Sequence, residues 1–261
     1  MKSGQSRRRA AYPAAALGIL LVLWEVLVRA AGIPSYVLPA PSRVLVALWT
    51  DRGTLLAHSA VTVLEALGGM GISLACALVL GILMDCSKGV RACVYPILVV
   101  TQTVPMIVLS PILILYMGFG VAPKILTVVL MCFFPIVVSF ADGMGQIDPA
   151  YSNLVRSYGG TRLQVYTQVK IPYAMPSLLS GLKVAATYSI SGAVVGEWIA
   201  SQAGLGYYLL RVKNSYALDK MFACVIFIIL LSLMMNGLIW LVRRLFLPYL
   251  NKNEKRREEN S

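Results

Sequence analysis

Long apolar runs separated by short polar segments dominate this sequence. Six runs approach the roughly 20 residues that a helix needs to cross a bilayer: 14–31, 62–84, 94–117, 122–141, 178–200 and 221–241. Runs of this length are too long and too many for the strands of a membrane barrel. The pattern therefore predicts an all-α, polytopic membrane protein with about six transmembrane helices.

Prolines interrupt the third and fourth runs at Pro96, Pro105, Pro111 and Pro135. A proline inside a helix deletes one backbone hydrogen bond and tends to bend the helix. Membrane proteins tolerate such bends where neighbouring helices or water satisfy the backbone. We expect these two runs to form kinked spans beside a pathway.

The longest polar interruption, 148–172, predicts two short helices joined by a glycine elbow. The Asp148 carboxylate can accept hydrogen bonds from the free backbone N–H groups of a helix that starts at Pro149. Gly159 and Gly160 are placed to end that helix.

A second helix is predicted to follow the elbow. Thr161 begins it, and Gln164 stands three residues later, so that each side chain can bond the other's backbone N–H in a capping box. We expect this helix to close at Ile171 and Pro172.

The end of the first run and the segment after it predict an anchored surface connector. Within the run, Glu25 and Arg29 are four residues apart, so they would share one helical face and partly neutralise each other. The proline-rich stretch 32–44 is expected to be extended, and Ser42 is expected to cap a short helix that lies along the membrane surface.

Composition places the chain in the membrane class: 58% of the residues are hydrophobic, 13% are charged, and mean hydropathy is +0.76. If both termini are cytoplasmic, 16 of the 23 lysines and arginines lie in cytoplasmic segments, which is the usual bias. The net charge of +12 is thereby explained by topology and lipid headgroups, and nucleic-acid binding is not expected. We predict a cytoplasmic basic segment 1–13, a membrane domain 14–247 that contains the loop 148–172, and a disordered cytoplasmic tail 248–261.

Polar residues on two predicted spans are candidates for a translocation path. They are Gln102, Thr103 and Ser110 on the third span, and Thr187 and Ser191 on the fifth. A hydrogen bond to a neighbouring helix would explain the polar residues of the third span about equally well.

Signatures of catalysis are missing from the sequence. There is no G-x-x-x-x-G-K-[ST] phosphate loop, no H-E-x-x-H, no G-x-S-x-G, and no histidine and cysteine cluster with metal-ligand spacing. We expect no enzymatic activity, no metal and no cofactor in this chain. Uphill transport would then draw its energy from a partner or an ion gradient.

The loop 148–172 resembles the cytoplasmic loop motif of bacterial ABC-importer permeases, written EAA, three residues, Gly, nine residues, Ile-x-Leu-Pro. Gly159, Ile171 and Pro172 fall at the family's spacing, whereas Asn153-Leu154-Val155 replace Glu-Ala-Ala. The resemblance implies that this loop docks in a groove of a partner ATPase. The coupling residues it implies are Asn153, Arg156, Gly159, Gly160, Val169, Ile171 and Pro172.

Other segments are similar to the nitrate, sulfonate, taurine and thiamine-precursor branch of these permeases. The string LPAPSRV from Leu38 is one, and Glu197 ahead of Gly204-Leu205-Gly206 is another. The resemblance implies that Glu197, Gly204 and Gly206 form an outer gate or a contact to a solute-binding protein.

The family implies a permease subunit of the bacterial inner membrane that works by alternating access. It implies that the chain forms a homodimer in the lipid membrane. The implied partners are two cytosolic ABC ATPase subunits, which bind ATP and Mg, and an extracytoplasmic solute-binding protein. The solute would be a sulfonate-, taurine- or nitrate-like anion or a pyrimidine precursor of thiamine. The alternative is a stand-alone transporter driven by an ion gradient, for which mid-membrane carboxylates and an internal repeat would be expected.

Overall fold

The computed structural model describes residues 2–199 and 201–246, and every regular element in these residues is a helix. The elements are α1 Lys2–Ala30, α2 Pro41–Thr50, α3 Arg52–Cys86, α4 Lys88–Thr103, α5 Met106–Met117, α6 Val121–Gly145, α7 Pro149–Ser157, α8 Arg162–Val165, a π-helical turn Tyr166–Lys170, α9 Ile171–Glu197, α10 Leu205–Asn214 and α11 Leu218–Phe246. The predicted basic segment 1–13 is helical from Lys2 and forms the first part of α1. The predicted tail 248–261 lies outside the described residues.

The all-α membrane architecture is confirmed. Four helical stretches in the described residues are long and apolar enough to cross a membrane: Arg52–Cys86, Val121–Gly145, Arg162–Glu197 and Leu218–Leu245. The pair α4 and α5 adds a fifth crossing if it is counted as one span. The first predicted span coincides with the second half of α1.

The third predicted span is broken rather than kinked. α4 and α5 meet at 102°, and Val104 and Pro105 between them both have extended backbone conformations, with ψ near 120°. A residue before proline avoids the helical conformation, and proline itself offers no N–H. Pro96, Pro111 and Pro135 stay inside their helices, so only one of the four prolines breaks a helix.

The second loop helix does not close at Ile171 and Pro172, contrary to the prediction. α8 passes through the π turn directly into α9, and the N–H of Ile171 bonds the carbonyl of Tyr166, five residues back. A π turn is wider than an α turn, and Pro172 follows it at the start of α9, where a missing N–H is tolerated. The second half of the loop, from Arg162 onward, is therefore one end of a continuous 36-residue helical stretch.

Helices α3, α6 and α9 form the core because glycines let them approach closely. A Cβ on Gly181 would lie 2.5 Å from the carbonyl oxygen of Pro135, and one on Gly69 would lie 2.5 Å from Val128. Gly81 packs on the fully buried ring of Phe140 in the same way. These contacts hold the three spans that carry the site.

The connector between α1 and α2 confirms one prediction and corrects another. Arg29 Nε donates to Glu25 Oε1 at 2.5 Å, as the spacing predicted. Ser42 does not cap α2, which begins at Pro41 after Ala40. Instead its backbone N–H and its hydroxyl both donate to Glu25, at 2.9 and 2.8 Å, so the serine ties α2 to α1.

Candidate functional site

The loop between α6 and α9 has the local geometry that its sequence predicts. The Asp148 carboxylate accepts a hydrogen bond from Ala150 N at 2.8 Å, and α7 begins at Pro149. Gly159 has φ +79°, a conformation that side chains rarely adopt. Gly160 then lies so close to Val155 that an added Cβ would stand 2.5 Å from it.

The capping box at the start of α8 is confirmed. Gln164 N donates to Thr161 Oγ1 at 3.3 Å, and Thr161 N donates to Gln164 Oε1 at 2.7 Å. The backbone N–H groups of Thr161 and Gln164 at the start of α8 are thus both paired within the loop.

One face of the loop leaves large apolar side chains uncovered. α7 buries none of its residues. The exposed fractions are 57% for Tyr151, 55% for Leu154, 86% for Tyr158 and 72% for Leu163; these four residues are called the loop surface below. Contiguous apolar groups on a polar loop are typical of a protein-binding surface.

The predicted coupling residues fall in two places. Asn153, Arg156 and Gly159 are exposed on the loop itself, with Gly160 half-buried in the elbow. The other three lie further along, in the π turn and the first residues of α9: Val169 and Ile171 are half-buried and Pro172 is exposed. Only the first group lies on α7 and the elbow, the part of the loop that also carries Tyr151, Leu154 and Tyr158.

An ionic contact that the sequence did not reveal joins the loop to α3. Tyr166 Oη donates to Asp85 Oδ2 at 2.6 Å, and Lys170 Nζ donates to the same oxygen at 2.5 Å. The Asp85 side chain is only 6% exposed. Because both donors sit in the π turn, these contacts connect the loop to α3 as well as to α9.

At the opposite end of α9, Glu197 holds the Gly-Leu-Gly turn. Its carboxylate is 1% exposed and accepts from Gly206 N at 2.6 Å and from Thr62 Oγ1 at 2.7 Å. Leu205 N donates in turn to the Thr62 hydroxyl at 2.9 Å. Gly204 has φ +105°, and a Cβ there would lie 2.2 Å from the carboxylate. In this structure Glu197 fixes the turn and is enclosed by it.

A buried ion pair lies beside this turn. Lys124 Nζ stands 2.7 Å from Glu65 Oε1, and the two side chains are 9% and 3% exposed. Lys124 also donates to Ser201 Oγ at 2.9 Å. Glu65 and Lys124 are 59 residues apart in the chain, and no local sequence pattern marks the pair.

Asp51, at the junction of α2 and α3, ties the same end together. Tyr208 Oη donates to Asp51 Oδ2 at 2.6 Å, and Lys220 Nζ lies 2.9 Å from that oxygen. Burial raises the pKa of the Asp51 carboxyl, but these two donors outweigh burial and hold the pKa below its ordinary value of 3.8. Burial and the acceptor carboxylate raise the pKa of Tyr208, so the pair stays in its bonded form at neutral pH.

Of the candidate path residues on α4 and α5, Gln102 has the most open position. It lines a cavity of about 300 Å³ at the break between the two helices, together with Tyr188 of α9. The Thr103 hydroxyl bonds the carbonyl of Val100 within its own helix, and Ser110 is 1% exposed.

The candidates on α9 lie on one exposed face. Thr187 and Ser191 are both exposed. Thr187 Oγ1 accepts from Asn236 Nδ2 of α11 at 2.9 Å, and the Ser191 hydroxyl points back to the Thr187 carbonyl at 3.4 Å. The structure thus brings Thr187 and Ser191 together, with Gln102 and Tyr188 at the border of the same face.

The structure combines membrane-spanning helices, a polar face on α9 and a loop with an uncovered apolar surface. This combination is typical of a membrane-embedded transport component. The chain belongs to the family of binding-protein-dependent transport system inner membrane components, whose model matches residues 69–246. It is therefore a permease of the ABC importer class, as the loop motif implied.

Similar proteins agree with this assignment. The chain is 33% identical to a probable ABC transporter permease protein of Haemophilus influenzae, over 89% of this chain and 95% of the relative. It is 32% identical to the formylaminopyrimidine transport permease protein ThiX of Halalkalibacterium halodurans, over 90% and 94%. Its fold matches a chain of the inward-facing MetNI methionine ABC transporter with a TM-score of 0.59 and 17% identity, over 75% of this chain and 95% of that one.

Proposed function

We propose that two copies of this chain form the membrane pathway of an ATP-driven importer, with their termini and the loop 148–172 in the cytoplasm. Each loop docks on one cytosolic ABC ATPase subunit, which binds the ATP and Mg. An extracytoplasmic binding protein delivers the solute at the end that holds the Gly-Leu-Gly turn.

The observation that carries this proposal is the loop surface. Tyr151, Leu154, Tyr158 and Leu163 are all more than half exposed, on a loop whose two helices are capped by its own side chains. Aromatic side chains are the commonest anchors of protein interfaces. A preshaped apolar surface on a polar loop is what an ATPase groove would bind.

The helix connections support alternating access as the mechanism. The loop continues through the π turn into α9 without a break, and Asp85 joins the π turn to α3. A displacement of the loop by closure of the ATPase dimer would therefore move α9 and α3 together. The broken pair α4 and α5 supplies a joint at which the pathway wall can rearrange.

The solute we propose is small and organic or a small anion. Similarity to the formylaminopyrimidine permease favours a pyrimidine precursor of thiamine, whereas the resemblance to the sulfonate, taurine and nitrate branch favours an anion. The binding protein is expected to make most of the selection.

The docking role is tested by substitution at the most exposed position of the loop surface. Tyr158→Asp should weaken ATPase binding by about 30-fold, since loss of an aromatic anchor costs about 2 kcal/mol or more. Tyr216→Asp is the matched control, because Tyr216 is 75% exposed and lies between α10 and α11, at the opposite end. Each tagged variant is captured in mild detergent, and the copurifying ATPase is quantified.

We expect Tyr158→Asp to lose the ATPase and Tyr216→Asp to keep it, with both variants recovered from the membrane in equal amounts. Equal ATPase recovery from both variants would contradict docking at the loop surface. Gly159→Pro gives a second test, because proline cannot adopt φ +79°, and it should abolish ATP-driven uptake.

A further inference from the structure

Lys183 occupies a position that its place in the sequence did not indicate. The predicted fifth span began at 178 and put this lysine near the cytoplasmic boundary. α9 begins instead at Ile171 and ends at Glu197, so Lys183 lies close to the middle of the helix. Its side chain is exposed.

Contacts with α6 confirm this depth. Gly181 packs against the carbonyl of Pro135, and Cys132 Sγ bonds the carbonyl of Ala185, so Lys183 is level with residues 132–135. That level is halfway between Lys124 and Asp142, the charged residues near the two ends of α6. It is about 14 Å from either one at 1.5 Å per residue, and a lysine side chain does not reach the interface from there.

The cation has no counterion in the described part of the chain. Of the five carboxylates on α3, α6, α9 and α11, four already have partners: Asp85 binds Lys170, Asp142 binds Arg91, Glu65 binds Lys124, and Glu197 binds the Gly-Leu-Gly turn. The fifth, Asp219, lies in the first turn of α11, about 25 Å along that helix from Asn236 at 1.5 Å per residue. No ion pair or hydrogen bond to Lys183 occurs among the described residues. A lone ammonium group exposed to lipid at this depth is strongly unfavourable, so this face of α9 meets water.

A row of hydroxyl groups follows the same face. Ser180, Thr187 and Ser191 are all exposed and stand three, four and eight residues from Lys183, which places them on one side of the helix. The row is bordered on one side by Asn236 of α11 and on the other by Tyr188 and the cavity at the α4–α5 break. These residues form a polar stripe that extends about 17 Å along α9 at 1.5 Å per residue.

We propose that Lys183 places a positive charge at mid-depth in the solute pathway, lined by Ser180, Thr187 and Ser191. The pathway then takes small solutes that are anionic or rich in hydrogen-bond acceptors, and it repels cations. This inference rests on the proposed function, since a homodimer would bring two such stripes and two such charges to one channel.

The test measures the local charge with thiol reagents of opposite sign. Thr187→Cys is placed one turn from Lys183, in a chain whose exposed cysteines Cys76, Cys86 and Cys93 are changed to serine. The complex with its ATPase and binding protein is labelled in membrane vesicles with anionic MTSES and with cationic MTSET. The ratio of the two labelling rates is compared for Lys183, Lys183→Arg and Lys183→Met.

In a water-like dielectric and at low ionic strength, a unit charge roughly 8 Å away changes this ratio about fivefold. With labelling at low ionic strength, we expect MTSES to be favoured with Lys183 and with Lys183→Arg, and the preference to fall about fivefold in Lys183→Met. Val79→Cys, on an apolar and exposed face of α3, is the control for a site in lipid and should react slowly with both reagents.

Two results would overturn the inference. Failure of Thr187→Cys to react with either reagent, with and without ATP, would show that the stripe is covered. An unchanged ratio in Lys183→Met would show that the lysine does not set the charge of the path. Failure of the proposed function itself would be seen separately, as a complex without an ATPase or without ATP-driven uptake.

Discussion

Removal of Lys124 should destabilise the protein far more than removal of any exposed lysine. The ion pair with Glu65 has a 2.7 Å contact, and both side chains are more than nine-tenths buried. Glu65 Oε2 has no hydrogen-bond partner among the described residues, so Lys124→Met would leave the whole carboxylate uncompensated. Breaking a buried pair from one side costs about 3–5 kcal/mol, which corresponds to a decrease of about 6–20 °C in Tm for a chain of this size.

The double variant gives the reasoning its sharpest test. Glu65→Leu combined with Lys124→Met replaces both charges by apolar groups of similar volume, a change that is often neutral or stabilising. Thermal unfolding in detergent should therefore show a low Tm for each single variant and a Tm near wild type for the double variant. Lys213→Met, at an exposed position of α10, is the control and should unfold like wild type. A double variant as unstable as the sum of its singles would refute the argument.

Three further predictions follow from the two ends of α9. Gly204→Ala should lower Tm, because the backbone conformation at Gly204 costs about 1–3 kcal/mol for any other residue and the added Cβ would strike Glu197. Gly237→Ala, in open space on α11, is the control and should keep or raise Tm. Asp85→Asn should retain the ATPase but lower ATP-driven uptake about 2- to 30-fold, and a normal uptake rate would argue against transmission to α3. The pKa of Asp51 is lowered in the folded state. The stability that this carboxylate contributes is therefore complete above pH 3.8 and is lost as the pH falls through the lower folded pKa. Asp51→Asn should remove that acid dependence of Tm.

Local signals predicted the start of α7, the glycine elbow and the capping box of α8 correctly, but not the end of the second helix. Three signals determine the local structure of the loop: Asp148 with Pro149, the paired glycines, and Thr161 with Gln164. Each of them acts on residues close to it in the sequence. Their conformations are therefore set by the neighbouring chain and can be recognised without knowing the fold. The same holds for the salt bridge between Glu25 and Arg29.

Long-range contacts escaped the sequence because nothing nearby in the chain marks them. Glu65 and Lys124 are 59 residues apart, and Thr62 and Glu197 are 135 residues apart. Pro105 signalled a bend, but only the packing of α4 and α5 decides between a kink and a 102° break. α9 begins before the predicted fifth span because the π turn, which carries the helix past Pro172, has no clear sequence signature.

The central claim is that ATP hydrolysis by a docked partner drives solute through this chain. The most direct measurement is uptake into proteoliposomes that contain the chain, its copurified ATPase and its solute-binding protein, with ATP or an ion gradient supplied separately. We expect uptake that follows ATP hydrolysis, stops with Gly159→Pro, and is absent with a gradient alone. Uptake by the chain without an ATPase, driven only by an ion gradient, would contradict it.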